Sequence, residues 1–232
     1  HLKEAGKPIG HQNRYLAVGN YETIDDVFNN AQTGSINSVA PGQVVPGDFI
    51  YIDFDSNGIL NGQDKVAVDE LNYPLHTYGL NLGFDWKGLS FSAMFYAPTG
   101  VYKLVNSVYS ASFKSGKINA QPDVMNAWTP ETANTSGVRA PALHLTNDGA
   151  FNGTESTYRY QNFSYLRLKT MELGYNLPKK WLKTVGLKSL QVYVTGNNLL
   201  TWWGGDDRID PEGEQVQYPI LRSFTSGVRV SF

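Results

Sequence analysis

The sequence contains no cysteine, and that one absence removes disulfide bonds, thiolate nucleophiles and zinc–thiolate centres together. It suits an envelope protein of a bacterium without fixing a compartment. No apolar run approaches the roughly 18 residues of a membrane helix, so helical spanning is excluded. A spanning strand escapes that test, because alternation dilutes its hydropathy. Neither sign of charge dominates: the net charge is -2 and there is no basic run, so nucleic acid is not an expected partner. The opening H-L-K-E-A-G-K-P-I-G has no initiator Met, no charged n-region and no apolar h-region. No signal peptide is visible, and His1 reads as the interior of something longer. Catalytic signatures are equally scarce. There is no G-x-S-x-G elbow, and His11, His76 and His144 lack metal-ligand spacing. Glu131, Glu155, Glu172 and Glu214 stand in unrelated contexts, whereas a glycosidase needs a matched pair. The reading is of a protein that is not an enzyme.

What is abundant is alternation. In 222–232, Phe224, Val228, Val230 and Phe232 share one parity while Ser223, Thr225, Gly227, Arg229 and Ser231 share the other. A half-buried soluble strand gives the same pattern. An aromatic at the very end, with no polar tail, favours the last strand of an outer-membrane barrel. In 76–87, Tyr78, Leu80, Leu82, Phe84 and Trp86 oppose Thr77, Gly79, Asn81, Gly83 and Asp85. A tight turn then leads to Leu89, Phe91, Ala93, Phe95 and Ala97, which oppose Ser90, Ser92, Met94 and Tyr96. Strands this long suit a tilted membrane crossing and exceed the globular norm of about five or six residues. In 163–177 the apolar parity switches between Leu168 and Met171, which predicts a β-bulge near 169–171. Strands are also expected over 44–54 and 190–197, and helical turns over 21–30 and 122–128. The polar stretch 100–158 reads as a long loop, of the kind that faces outward in bacterial barrels. Aromatic richness, at 13%, fits a barrel girdle and fits a carbohydrate-handling β-sandwich too.

One motif points to a metal. In D-F-D-S-N-G-I-L-N-G-Q-D, counting Asp53 as the first position, oxygen side chains fall at the first, third, fifth, ninth and twelfth places. These are Asp53, Asp55, Asn57, Asn61 and Asp64; the carbonyl of Ile59 supplies the seventh, and Gly58 permits the sharp turn. That is the spacing of an EF-hand-type calcium loop, with Asp64 where a bidentate Glu is usual. The expectation is a structural Ca2+; the alternative is an Asx-rich turn that needs these residues for its own backbone.

Four separated motifs follow one another: S-Y-L-R-L-K-T-M-E-L-G-Y-N-L-P-K-K-W-L (164–182), G-L-K-S-L-Q-V-Y-V-T-G-N-N-L-L-T-W (186–202), D-P-E (210–212) and Y-P-I-L-R-S-F-T-S-G-V-R-V-S-F (218–232). Their order closely resembles the C-terminal end of SusC/RagA-type TonB-dependent outer-membrane transporters. G-K-P-I-G (6–10), P-G-D-F-I-Y-I-D-F-D-S-N-G (46–58), T-Y-G-L-N-L-G-F-D-W-K-G (77–88) and W-T-P-E (128–131) look like earlier landmarks in the same order. The resemblance implies an all-β fold, an antiparallel transmembrane β-barrel segment belonging to a ring of about 22 strands. Residues 1–232 would form its C-terminal portion without the plug, with a long outer loop at about 100–158 and closing strands at about 159–232. The length suggests roughly seven or eight strands.

The resemblance further implies uptake of glycans or peptides in the bacterial outer membrane, together with a SusD-like surface lipoprotein. Other partners would be the remainder of the barrel and plug, the TonB complex and membrane lipid. Trp128, Trp202, Trp203, Asp206, Asp207 and Arg208 are the loop residues offered as contacts to substrate or lid. Two other readings stand beside this one: an extracellular carbohydrate-binding β domain, and a small self-standing outer-membrane barrel.

Overall fold

The computed structural model describes residues 6–29, 44–105, 125–133, 140–143, 152–183, 186–205, 208–213 and 218–232. Residues 122–124 of the helix expected at 122–128, and the candidate residues Asp206 and Asp207, lie outside the described residues; within the described part of that stretch Ala127 forms a bridge with Ala140. The chain forms two compact units, one from His1–Leu71 with Lys103–Gln161 and one from Asn72–Tyr102 with Asn162–Phe232.

In the first unit, short strands pair at long sequence range. β1 (Gln12–Arg14) pairs with β4 (Val66–Val68), and β2 (Ala17–Asn20) pairs with β3 (Phe49–Tyr51). β7 (Tyr102–Leu104) pairs with β8 (Tyr160–Asn162). The single described α-helix here, α1, spans Ile24–Asn29, where a helical turn is expected. Tyr15, Phe49, Tyr51 and Leu60 form the core, with Tyr158 packed on Phe49 at 4.5 Å between ring centroids. The stretch expected as one outer loop is interleaved with the first 71 residues in its described parts. Asn152 accepts from the Phe49 amide and donates to Asp48 Oδ1, while the Tyr15 amide donates to the Glu155 carbonyl and the Thr157 amide to the Tyr15 carbonyl. The strand expected over 44–54 contracts to Phe49–Tyr51. Gly47 on one side has φ of 93°, and on the other Asp53 starts a tight turn, leaving Phe54 exposed.

In the second unit, β5 (His76–Trp86), β6 (Leu89–Thr99), β9 (Tyr165–Asn176), β10 (Ser189–Trp203) and β11 (Ser223–Ser231) form one antiparallel sheet in the order β11-β10-β9-β6-β5. A short helix, α2 (Lys179–Leu182), lies in the β9–β10 connection. Among the described residues this sheet has five long strands, and His1–Leu71 with Lys103–Gln161 build the other unit. Lys87 and Gly88, with φ of 48° and 90°, close the β5–β6 hairpin as a two-residue turn that matches the right-handed strand twist. Glycine is required at the second place, since a Cβ there would sit 2.9 Å from the Asn176 carbonyl oxygen.

The expected bulge is present. Thr170 pairs with Met94 and Leu168 with Phe95, so β9 carries Lys169 as an extra residue. β10 answers with its own irregularity between Asn197 and Leu200, where Asn198 adopts φ of 54°. The two compensate, and the apolar residues stay on one face on both sides of the break.

Candidate functional site

The acidic loop folds around its own side chains. Asp53 Oδ2 accepts from the Gly58 amide at 2.6 Å and Oδ1 from Asn57, while Asn57 Oδ1 accepts from Ile59 at 2.7 Å. Asp64 is buried, and its two oxygens accept from the amides of Phe54 at 2.9 Å and Asn61 at 2.7 Å. Asn61 caps the following turn by accepting from Gln63. Carboxylate oxygens of Asp53, Asp55 and Asp64 all lie within 4.8 Å of one another. Three convergent carboxylates and the amide oxygens beside them are the donor chemistry a hard cation takes. Desolvation raises the Asp53 pKa, but the amides of Gly58 and Asn57 stabilise the carboxylate and leave it below the ordinary range.

The five-stranded sheet has two contrasting faces. On one, cross-strand partners run Leu80–Phe95–Leu168 and Phe84–Phe91–Leu173–Val194, with Val192 paired to Val228 beyond. Tyr78, Leu80, Leu82, Phe84, Trp86, Leu173, Tyr175, Val192, Val194, Phe224, Val228 and Val230 are all exposed. An exposed apolar surface of this extent is not left to water by a soluble monomer. On the other face, polar side chains bond to one another across strands. Arg229 grips Glu172 with two bonds of 2.8 and 3.0 Å and also donates to Gln191, which donates to Ser90 at 3.0 Å. Thr195 donates to Glu172 at 2.9 Å. Gly227 leaves space for the Tyr193 ring, over which the Arg229 guanidinium sits at 4.0 Å.

At the far end of that sheet a buried ion cluster holds the loop between β10 and β11. Arg167, 2% exposed, donates to Asp210 at 2.7 Å, to Glu212 at 2.8 Å and to Thr201 at 2.9 Å. Lys169 adds a second cation to Glu212. Asp210 in turn accepts from the amides of Glu212, Gly213 and Ile220. Desolvation works upward on the Asp210 pKa, but the Glu212 amide and Arg167 outweigh it and the carboxyl lies below its usual range. A lowered folded pKa gives stability that is present above the unfolded value of about 3.9 and lost as pH falls through the folded one. Protease protection of the loop is therefore expected to persist at neutral pH and to fail in strong acid, which a pH series of limited digestion measures.

The proposed contact residues separate. Trp128 is buried, its Nε1 donating to Glu22 at 3.1 Å, and its ring covers Gly47, where a Cβ would come within 2.6 Å. Trp202 is exposed on the apolar face opposite Leu166. Trp203 packs on Phe163 at 5.2 Å and overhangs Gly205. Arg208 is exposed at the loop surface and Ile209 beside it is buried. The arrangement thus brings Trp202, Trp203 and Arg208 to the loop end of one sheet and leaves Trp128 in the first unit's packing. Sequence reasoning missed Arg167. Its signal was a charged residue on each side of Leu168 within a strand, together with the D-P-E motif that supplies both carboxylates.

A twisted antiparallel sheet of nine-to-fifteen-residue strands, apolar and bare on one face and hydrogen-bonded on the other, is a segment of a transmembrane β-barrel wall. Comparison with known proteins agrees. The chain is 31% identical over 206 residues to TonB-dependent receptor P3 of Formosa agariphila, covering 82% of this chain and 20% of the receptor. Against TonB-dependent receptor P26 of the same organism it is 31% identical over 210 residues, 81% of this chain and 20% of that one. The resemblance drawn from the sequence finds support here: the chain is a homologue of curated TonB-dependent receptors and spans about a fifth of the length of the relatives it matches. No family model matches. Among solved structures, the RagAB peptide importer in its open-open state superposes with a TM-score of 0.65 at 24% identity, over 96% of this chain and 22% of that one. The RagAB peptide transporter gives 0.64 with the same identity and coverage.

Proposed function

We propose that the chain is part of the barrel wall and outer loops of a TonB-dependent nutrient importer in the bacterial outer membrane, with β9, β10 and β11 as its closing strands. The observation that carries this is the broad exposed apolar face of the five-stranded sheet, opposite a polar, mutually bonded face that would line the lumen. The wall performs no covalent chemistry; its role is to hold a polar passage open through lipid and to present loops at the outer mouth. Substrate would be a peptide or a glycan, captured with a SusD-like surface lipoprotein, and transport energy would come through TonB acting on the plug. The Arg167 cluster holds the described 208–213 part of the connection between β10 and β11, and with it Arg208, while Trp203 is placed by its strand pairing with Tyr165. The test is uptake of fluorescent oligopeptides and of fluorescent oligosaccharides by cells with and without the full-length receptor, in the presence and absence of TonB. The expected result is uptake of one class that needs both. Uptake indifferent to the receptor, with the protein in the soluble fraction, overturns the proposal.

The acidic loop is proposed as a structural Ca2+ site held by Asp53, Asp55, Asn57, Asn61, Asp64 and the Ile59 carbonyl. A bound cation would tie the turn after β3 to the start of β4 and add no step to transport. Terbium luminescence excited through the protein's aromatic residues is expected to appear on titration and to be displaced by Ca2+. In the double variant Asp53→Asn with Asp55→Asn it is expected to vanish, with the receptor still folded. Asp64 is the wrong position for this test: it is buried, so its loss from the two backbone amides it accepts unfolds the turn with or without a metal, whereas Asp53 and Asp55 are more open and asparagine there keeps an oxygen to accept their amides.

A further inference from the structure

The end of the sheet opposite the long loops carries a charge pattern that transport does not use. Three backbone bonds bring the connections together there: Asn176 to the Gly88 carbonyl at 2.7 Å, Leu177 to Leu190 at 2.9 Å, and Lys188 to Ser231 at 2.9 Å. Residues 86–89 and 177–189 contain five lysines, Lys87, Lys179, Lys180, Lys183 and Lys188, and no carboxylate. All five are exposed, and none is in an ion pair among the described residues. The nearest acid, Asp85, has the parity of the polar face. At the same end the apolar face finishes in aromatics. Trp86 and Tyr175 are exposed on it, Trp181 projects from α2 at 66% exposure, and Lys87 Nζ lies 5.0 Å from the Trp86 ring centre. The other end is opposite in sign: residues 204–222 hold five carboxylates against two arginines.

We infer that this lysine and tryptophan rim binds the headgroups of anionic phospholipid in the leaflet on the short-turn side, periplasmic in bacterial barrels. The inference rests on the barrel reading. Its argument is charge complementarity continuous with a lipid-facing surface. Indole rings settle at headgroup depth, while lysine stems lie along the apolar wall and carry their ammonium groups out to the phosphates. Each such lysine strengthens attachment to an anionic surface, and four of the five lie on a single short connection. Neutral headgroups offer no net charge to match.

The test uses the full-length receptor in nanodiscs of phosphatidylethanolamine, alone or mixed with phosphatidylglycerol, followed by detergent stripping and mass spectrometry of retained lipid. The comparison is with the quadruple variant Lys179→Gln, Lys180→Gln, Lys183→Gln, Lys188→Gln. Heat-modifiable gel migration reports whether each protein is a folded barrel, independently of lipid choice. The expected result is retention of phosphatidylglycerol by the native receptor and a drop of about tenfold in the variant, phosphatidylethanolamine being unchanged and both proteins folded. Millimolar inorganic phosphate is expected not to compete, since it lacks the acyl chains that the aromatic rim engages. Equal phosphatidylglycerol retention by the two folded proteins overturns the inference while leaving the barrel intact. Loss of heat-modifiable migration by the native receptor overturns the barrel reading itself.

Discussion

Arg167→Ala is expected to destabilise the receptor by about 3–5 kcal/mol and to free the loop between β10 and β11. The size follows from what remains. Asp210 and Glu212 are held at 2.7 and 2.8 Å by a guanidinium that is itself only 2% exposed. Without it two carboxylates face each other with Lys169 alone to offset them. Thr201 loses its bond from Nε as well. Arg167→Lys is expected to recover part of the stability but not the loop, because an ammonium cannot span both carboxylates in the planar fork that a guanidinium provides. The readouts are the urea midpoint of the full-length receptor and protease cleavage within 204–222. A midpoint shift that amounts to less than about 0.5 kcal/mol after multiplication by the m-value for Arg167→Ala would mean that the cluster is solvated and that something else shapes the loop.

The second large effect separates the two faces of one strand. Leu82→Arg places a charge mid-strand on the apolar face and is expected to cost about 2–4 kcal/mol in lipid. Asn81→Arg, one residue away on the polar face, is expected to change stability by no more than about 0.5 kcal/mol. In water the order would differ: Leu82 is 48% exposed already, so an arginine there would be nearly harmless to a soluble domain. Folding yield of the two variants into bilayers measures the contrast. Similar small costs for both would favour the carbohydrate-binding β domain.

The barrel strands were legible because their period is strict. From Tyr78 to Trp86 every second residue is apolar, and the hairpin turn announces itself with Gly88. Even the bulge could be read, since a parity switch between Leu168 and Met171 has no other economical cause in a sheet with one apolar face. The first unit was not legible in the same way. Its strands are three or four residues long, too short for periodicity, and its core is assembled from Tyr15, Phe49, Tyr51 and Tyr158, which lie far apart in sequence. Polar composition in 100–158 reads as loop. What the composition does not reveal is that Asn152, Glu155 and Thr157 satisfy backbone and side-chain groups of the first 71 residues.

The site was legible in the same uneven manner. The carboxylates of Asp53, Asp55 and Asp64 lie close together because each Asx side chain folds the backbone onto the next. Trp128 looked like a loop tryptophan ready for a ligand, yet its partner Glu22 lies 106 residues away and Gly47 opens the space that its ring fills. Arg167 was hidden for the reverse reason. In sequence it is one polar residue of an alternating strand, and only the pairing of β9 with β10 brings it beneath the D-P-E carboxylates.

The most direct test of the central claim is a cysteine scan of 77–86 in the full-length receptor freed of other cysteines, reconstituted in bilayers. The chain's own lack of cysteine makes the labelling clean. The account predicts a period of two: positions 78, 80, 82, 84 and 86 shielded from a water-soluble maleimide and quenched by a lipid-borne probe, with 77, 79, 81, 83 and 85 reacting from the aqueous lumen. Equal reaction of both sets with the water-soluble reagent would contradict it, since the face of Leu80 and Phe84 would then lie in water and the sheet could not be a membrane wall.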